Sequence, residues 1–101
     1  MRYHEIDISE SQLAELCRRW KVTELSLFGS ILRDDFGPES DVDVLVVFQV
    51  DAPWSMWDLM DMREELRNLF GRAVRLVEKE ALRNPFRRRE IVENHKVVYA
   101  T

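Results

Sequence analysis

The residues of this chain that could do chemistry together are Gly29-Ser30 and, ten residues further on, Asp41-Val42-Asp43, with Arg33 one turn beyond the Gly-Ser pair. A strand that ends in Gly-Ser and opens a helix presents free backbone N–H groups, and such a site attracts phosphate through those donors and the helix dipole. Gly29 lets a ligand approach the backbone closely. Ser30 adds a hydroxyl donor, and Arg33 can point back to the same anion and make paired bonds to its oxygens. Asp41 and Asp43 are two apart in a strand, so their carboxylates share a face. Their repulsion, and the cost of an unpaired charge at the mouth of a buried strand, are both relieved by a divalent cation between them. Oxygen ligands completed by substrate phosphates suit Mg2+. Either pair alone is an ordinary turn or strand start; the joint pattern with strands on both sides is far more specific.

The elements that must position these residues can be read from periodicity and punctuation. Ser9-Glu10-Ser11-Gln12 has the form of a capping box, and Leu13, Leu16, Cys17 and Trp20 follow at helical spacing. Thr23 to Phe28 predicts a strand, Ile31 to Asp35 a short helix, and Phe36 to Ser40 a turn around Gly37-Pro38. Val42 to Val50 is the strongest strand, apolar on both parities beyond Asp43 and therefore central in its sheet. Asp51-Ala52-Pro53 breaks it; Pro53 and the pair Ser55 and Asp58 announce a helix whose core stripe is Leu59, Met62, Leu66, Leu69 and Phe70, ending at Gly71. Ala73 to Val77 predicts a third strand, Glu78 to Leu82 a turn or short helix, Phe86 to Asn94 a basic helix, and Lys96 to Ala100 a last strand or a tail. One α/β domain over residues 1–101 fits this order. If strand 23–28 lies beside strand 42–48, the Gly-Ser turn and the Asp pair meet at one end of the sheet.

Composition sets the frame. The chain is 46% apolar and 34% charged with a net charge of -4, an ordinary globular balance that excludes a wholly basic nucleic-acid-binding domain. The single cysteine excludes an internal disulfide and fits a reducing compartment. No apolar run is long enough to span a membrane, and the first residues do not form a signal peptide, so a cytoplasmic protein is expected.

Gly29-Ser30-Ile31-Leu32-Arg33 followed by Ser40-Asp41-Val42-Asp43-Val44-Leu45-Val46 resembles the minimal nucleotidyltransferases of the polymerase-beta-like superfamily. Their pattern is Gly-Ser, ten residues, Asp-x-Asp, with an Arg after the Gly-Ser and a Ser before the first Asp. The resemblance covers roughly Leu13 to Tyr99. It implies the nucleotidyltransferase fold, a small mixed sheet of three or four strands flanked by helices. It also implies ATP or another nucleoside triphosphate as substrate, with Mg2+ held by Asp41 and Asp43 and the phosphates held by Gly29 and Ser30, Arg33 standing near them. Many such proteins are antitoxins paired with HEPN-domain ribonuclease toxins, and some transfer AMP to a toxin tyrosine. A HEPN partner, a hetero- or homo-oligomer and AMP transfer from ATP to a partner hydroxyl are therefore expected.

One position departs from the pattern. The family carries a third carboxylate on the next strand, and this chain has Arg75 there, in Val74-Arg75-Leu76-Val77. Glu78 is three residues on, so a regular strand turns it to the other face. An Arg opposes a cation by about 4 kcal/mol at 4 Å and an effective dielectric near 20. Arg75 can instead pair with Asp41 or Asp43 in the metal's place, or clamp the triphosphate. Loss of a general base lowers rates by about 10²- to 10⁴-fold. A catalytically impaired antitoxin that neutralises by binding alone is thus the alternative.

Other residues have plainer readings. Trp57 and Met60 are expected in the core, whereas Trp54 and Met56 have no place in the helical stripe and would suit a protein partner. Arg83, Arg87, Arg88 and Arg89 form either a solvated helix face beside Glu90 and Glu93 or a contact for nucleotide, RNA or an acidic partner. His4 and His95 have no ligand spacing and are expected as ordinary surface residues; Cys17 belongs to the core.

Overall fold

A computed structural model describes residues 1–101. A two-residue hairpin, β1 (Arg2–Tyr3) and β2 (Ile6–Asp7), precedes helix α1 (Glu10–Arg19), then β3 (Val22–Phe28), a single 3-10 turn (Gly29–Leu32), and β4 (Val42–Phe48). Helix α2 (Met56–Phe70), β5 (Val74–Glu78), a second 3-10 turn (Lys79–Ala81), helix α3 (Pro85–Glu93) and β6 (His95–Ala100) complete it. The four-stranded sheet runs β5-β4-β3-β6. β5 is parallel to β4, while β3 is antiparallel to both β4 and β6. This is the expected small mixed sheet, with β4 internal, as its apolar residues on both parities require.

Alternation divides the sheet into two faces. Leu25 and Leu27 of β3 and Val42, Val44 and Val46 of β4 are buried against Leu13, Leu16 and Cys17 of α1 and Met62, Leu66 and Phe70 of α2. Phe28 and Leu45 point the other way, to a smaller cluster with Leu82, which follows the second 3-10 turn, and with Ile91 of α3. α1 is capped by Ser9, whose hydroxyl accepts the Gln12 N–H. α2 begins with a full capping box between Ser55 and Asp58 and ends at Gly71 in the left-handed region, φ 71°. α3 is capped by Asn84, which accepts from the N–H groups of Phe86 and Arg87.

The structure corrects several expectations. The helix expected from Ile31 to Asp35 is a 3-10 turn that starts at Gly29 and stops at Leu32. β4 ends at Phe48 because the chain turns through Gln49 to Ala52, leaving Val50 fully exposed. Of the two readings left open for the last segment, strand or tail, the strand holds, and it pairs with β3. Trp57 and Met60 are not in the core: they are 76% and 43% exposed, and with Met56 they form an apolar ridge on α2. Trp54 does have a place inside. Its ring tilts against Trp20 at 4.8 Å, and its Nε1 donates to the Trp20 carbonyl at 2.8 Å.

Candidate active site

The site is built on one cross-strand row. His95 of β6 lies beside Phe28 of β3, Phe28 beside Asp43 of β4, and Asp43 beside Arg75 of β5. Residues paired in this way project to one face, here the face covered by α3. At the end of β3 the chain turns through Gly29, whose φ of +74° lies in the left-handed region. A Cβ at Gly29 would overlap the carboxylate of Asp43. The close approach that requires glycine is therefore made by the protein's own Asp43.

Phe28, Gly29, Arg33, Asp43 and Arg75 line a cavity of about 550 Å³, closed on the far side by α3 and the start of β6, including Arg87, Glu90 and His95. Of the residues singled out in the sequence, Gly29, Arg33, Asp43, Arg75 and Arg87 thus come together. Ser30, half-buried in the 3-10 turn, and Asp41, exposed just before β4, are not among the lining residues. Arg33 lines the cavity, with its Nε bound to Asp35 at 3.1 Å. Ser40, the residue before the first Asp, spends its hydroxyl on the turn, accepting the Gly37 N–H at 3.0 Å.

Arg75 Nε stands 3.3 Å from Asp43 Oδ1. Burial pushes the Asp43 carboxyl above its ordinary value of 3.8; Arg75 opposes this most, Asp41 adds to it, and Arg33 and Arg87 pull it down. Glu78 pairs with Val46 at the opposite end of β5, so it cannot stand in for the carboxylate missing at position 75. Asp41, the residue that leads into β4, and Asp43 of β4 are two apart and are the motif carboxylates on this face. That pair could hold one divalent ion whose remaining ligands would come from phosphate and water; Glu90 of α3 is a further carboxylate in the cavity wall, and no group of three metal-ligating side chains forms.

Sequence reasoning missed the residues that frame the site. His95 is half-buried in the cavity wall, with Nδ1 2.6 Å from the Val92 carbonyl oxygen and Nε2 4.0 Å from Glu24 Oε1. His4, read as a plain surface residue, bonds the Ile31 carbonyl at 2.9 Å through Nε2 and stacks on Phe36 at 4.7 Å, bracing the 3-10 turn. Arg72 lies over the other component of that stack, 4.6 Å from the Phe36 ring centroid, and donates to the carbonyls of Gly37 and Ser40 at 2.7 and 2.6 Å. It ties down the loop leading into Asp41. No spacing signal exists for the His4 and Arg72 contacts, because each joins elements distant in the chain. The basic cluster is divided: Arg87 faces the cavity, Arg88 caps the Lys79 carbonyl, and Arg89 pairs with Glu93.

A mixed four-stranded sheet with Gly-Ser at the end of one strand and Asp-x-Asp at the start of its antiparallel neighbour defines a nucleotidyltransferase. The nucleotidyltransferase domain family matches residues 9–98, and the chain belongs to that family. It is 39% identical over 70 residues to the protein adenylyltransferase MntA of Thermococcus cleftensis, covering 69% of each chain. It superposes on a crystal structure of a toxin–antitoxin with AMP-PNP at a TM-score of 0.73, with 20% identity, covering 93% of this chain and 75% of that one. A structure of a tri-AMPylated Shewanella oneidensis HEPN toxin in complex with MNT antitoxin gives a TM-score of 0.64 at 20% identity, covering 91% and 70%. These two likenesses establish the fold. No helix of the chain is long and apolar enough to cross a membrane.

Proposed function

We propose that this chain, acting as one cytoplasmic domain, is a minimal nucleotidyltransferase that serves as the antitoxin of a HEPN toxin and transfers AMP from ATP to a hydroxyl of that partner. The observation that carries the reading is the contact of the Gly29 turn with Asp43 at the mouth of a cavity lined by Arg33, Arg75, Arg87 and Lys96. Gly29 and Ser30 take the phosphates on the 3-10 turn, and Arg33 flanks them. Asp41 and Asp43 hold Mg2+, which when bound neutralises phosphate charge. The partner's hydroxyl oxygen bonds to the α-phosphorus, the bond from that phosphorus to the bridging oxygen breaks, pyrophosphate leaves, and the hydroxyl proton passes to water. Arg33, Arg75 and Arg87 stabilise the charge that develops on the phosphates. The Met56, Trp57 and Met60 ridge offers the partner an apolar anchor on the sheet face away from the cavity.

The test is incubation with labelled ATP, Mg2+ and the HEPN protein. Label on the partner that vanishes with Asp43→Ala is expected; no label, or label indifferent to that change, removes the transferase reading. The Arg75–Asp43 pair favours a second reading, an antitoxin that binds without turnover. Neutralisation that survives Asp41→Ala and Asp43→Ala together would select it.

A further inference from the structure

In this fold a divalent ion placed between Asp43 and a triphosphate would bridge a carboxylate to a phosphate. Arg75 is already half of such a bridge. Its Nε edge meets Asp43 Oδ1 at 3.3 Å, and Asp43 is largely enclosed, with 15% of its side chain exposed against 57% for Arg75. A guanidinium is a planar fork with five donors, so one edge can hold a carboxylate while the other holds a phosphate oxygen. The rest of the Arg75 side chain faces a cavity that also contains Arg33, Arg87 and Lys96 against Asp43 and Glu90. Four cations against two carboxylates make this pocket locally positive in a chain whose net charge is -4.

We infer that Arg75 takes over the bridging charge, so that this site binds a nucleoside triphosphate without a divalent cation. The inference rests on the nucleotide-binding reading above and deepens it. Asp43 orients the guanidinium, and Arg75 binds the phosphate chain directly, as a charge-assisted, geometrically fixed donor. A lysine at this position would supply charge without the fork and could not hold both partners in one plane. Mg2+ then meets a carboxylate already paired, so its addition gains little for binding.

The experiment is calorimetric titration of the full chain with ATP, once in excess EDTA and once in Mg2+. The two dissociation constants are expected to agree within about threefold. Arg75→Met is expected to weaken the EDTA value by about tenfold or more, the size of one lost charge-assisted bond, with Arg75→Lys between the two. Circular dichroism of each variant checks that the sheet is intact. ATP binding that appears only with Mg2+ overturns the inference and leaves the proposed function standing. Absence of binding in both conditions overturns both.

Discussion

The volume that a side chain on Gly29 would occupy is filled by the carboxylate of Asp43. The two motif halves are thus in direct contact, and the ten residues between them need only close the loop. Gly29 is needed twice, for its φ of +74° and for the missing Cβ. Gly29→Ala should lower stability by about 1–3 kcal/mol, from left-handed strain and displacement of Asp43. It should also weaken ATP binding about tenfold or more, one lost charge-assisted contact. Urea unfolding and an ATP titration measure both; unchanged affinity would show that Asp43 can move without consequence.

Gly71 provides the control. It has the same sign of φ, +71°, but nothing stands within 4 Å of the position its Cβ would take. Gly71→Ala should lose about 1 kcal/mol of stability from the backbone alone, and the ATP dissociation constant should not move.

Trp57 and Trp20 should behave oppositely. Trp20 is 9% exposed, joins the main core and donates to Glu65 at 2.9 Å, so Trp20→Ala should cost about 3–5 kcal/mol. Trp57→Ala should stay within about 0.5 kcal/mol of the parent, while weakening association with the HEPN partner. A large loss of stability on Trp57→Ala would place that ring in a core after all.

How much could be read from the sequence follows from the range of each signal. The Ser55 and Asp58 box, the α1 stripe and the two-faced apolar run of β4 are set within a few residues, and all three appear in the structure. The α2 stripe was ambiguous. Leu59, Met62, Leu66 and Phe70 repeat at the helical period, and Trp57 and Met60 lie on the adjoining arc, where their bulk suggested burial that the geometry does not give. Trp54 precedes the helix, so its contact with Trp20 has no periodic signature. The Gly29 and Asp43 half of the site was legible because both residues sit at ends of recognisable strands. The half formed by His95 and Lys96 was not, because it depends on β6 returning to pair with β3 across most of the chain; Arg87 was legible only as one member of an arginine cluster with two readings.

Cys17 is fully enclosed, and burial pushes its thiol from its ordinary 9.0 to about 12, Arg18 drawing it back only in part. Between those values the unfolded chain releases the proton and the folded chain keeps it, so this group lowers stability as pH rises above 9. At pH 8 a thiol-reactive disulfide reagent should label Cys17 no faster than the protein unfolds, and instantly in denaturant. Rapid labelling of the native protein would contradict the packing of α1.

Ser26 is 1% exposed and its hydroxyl has no hydrogen-bond partner. An unpaired buried hydroxyl is unfavourable, so Ser26→Ala should be neutral or gain up to about 1 kcal/mol in thermal unfolding. A loss larger than that would mean that the hydroxyl is paired in solution.

The row His95–Phe28–Asp43–Arg75 also has a history in time. β3 finds β4 across a short loop, but it must wait for nearly the whole chain before β6 can close on its other edge. Closure over a long loop is entropically the later event, and non-local pairing slows folding. The carboxylate end of the cavity should therefore form before its wall of His95 and Lys96. Competence to hold a nucleotide would then report the final step of folding, and ATP would act on the newly made chain as a clasp on its last strand.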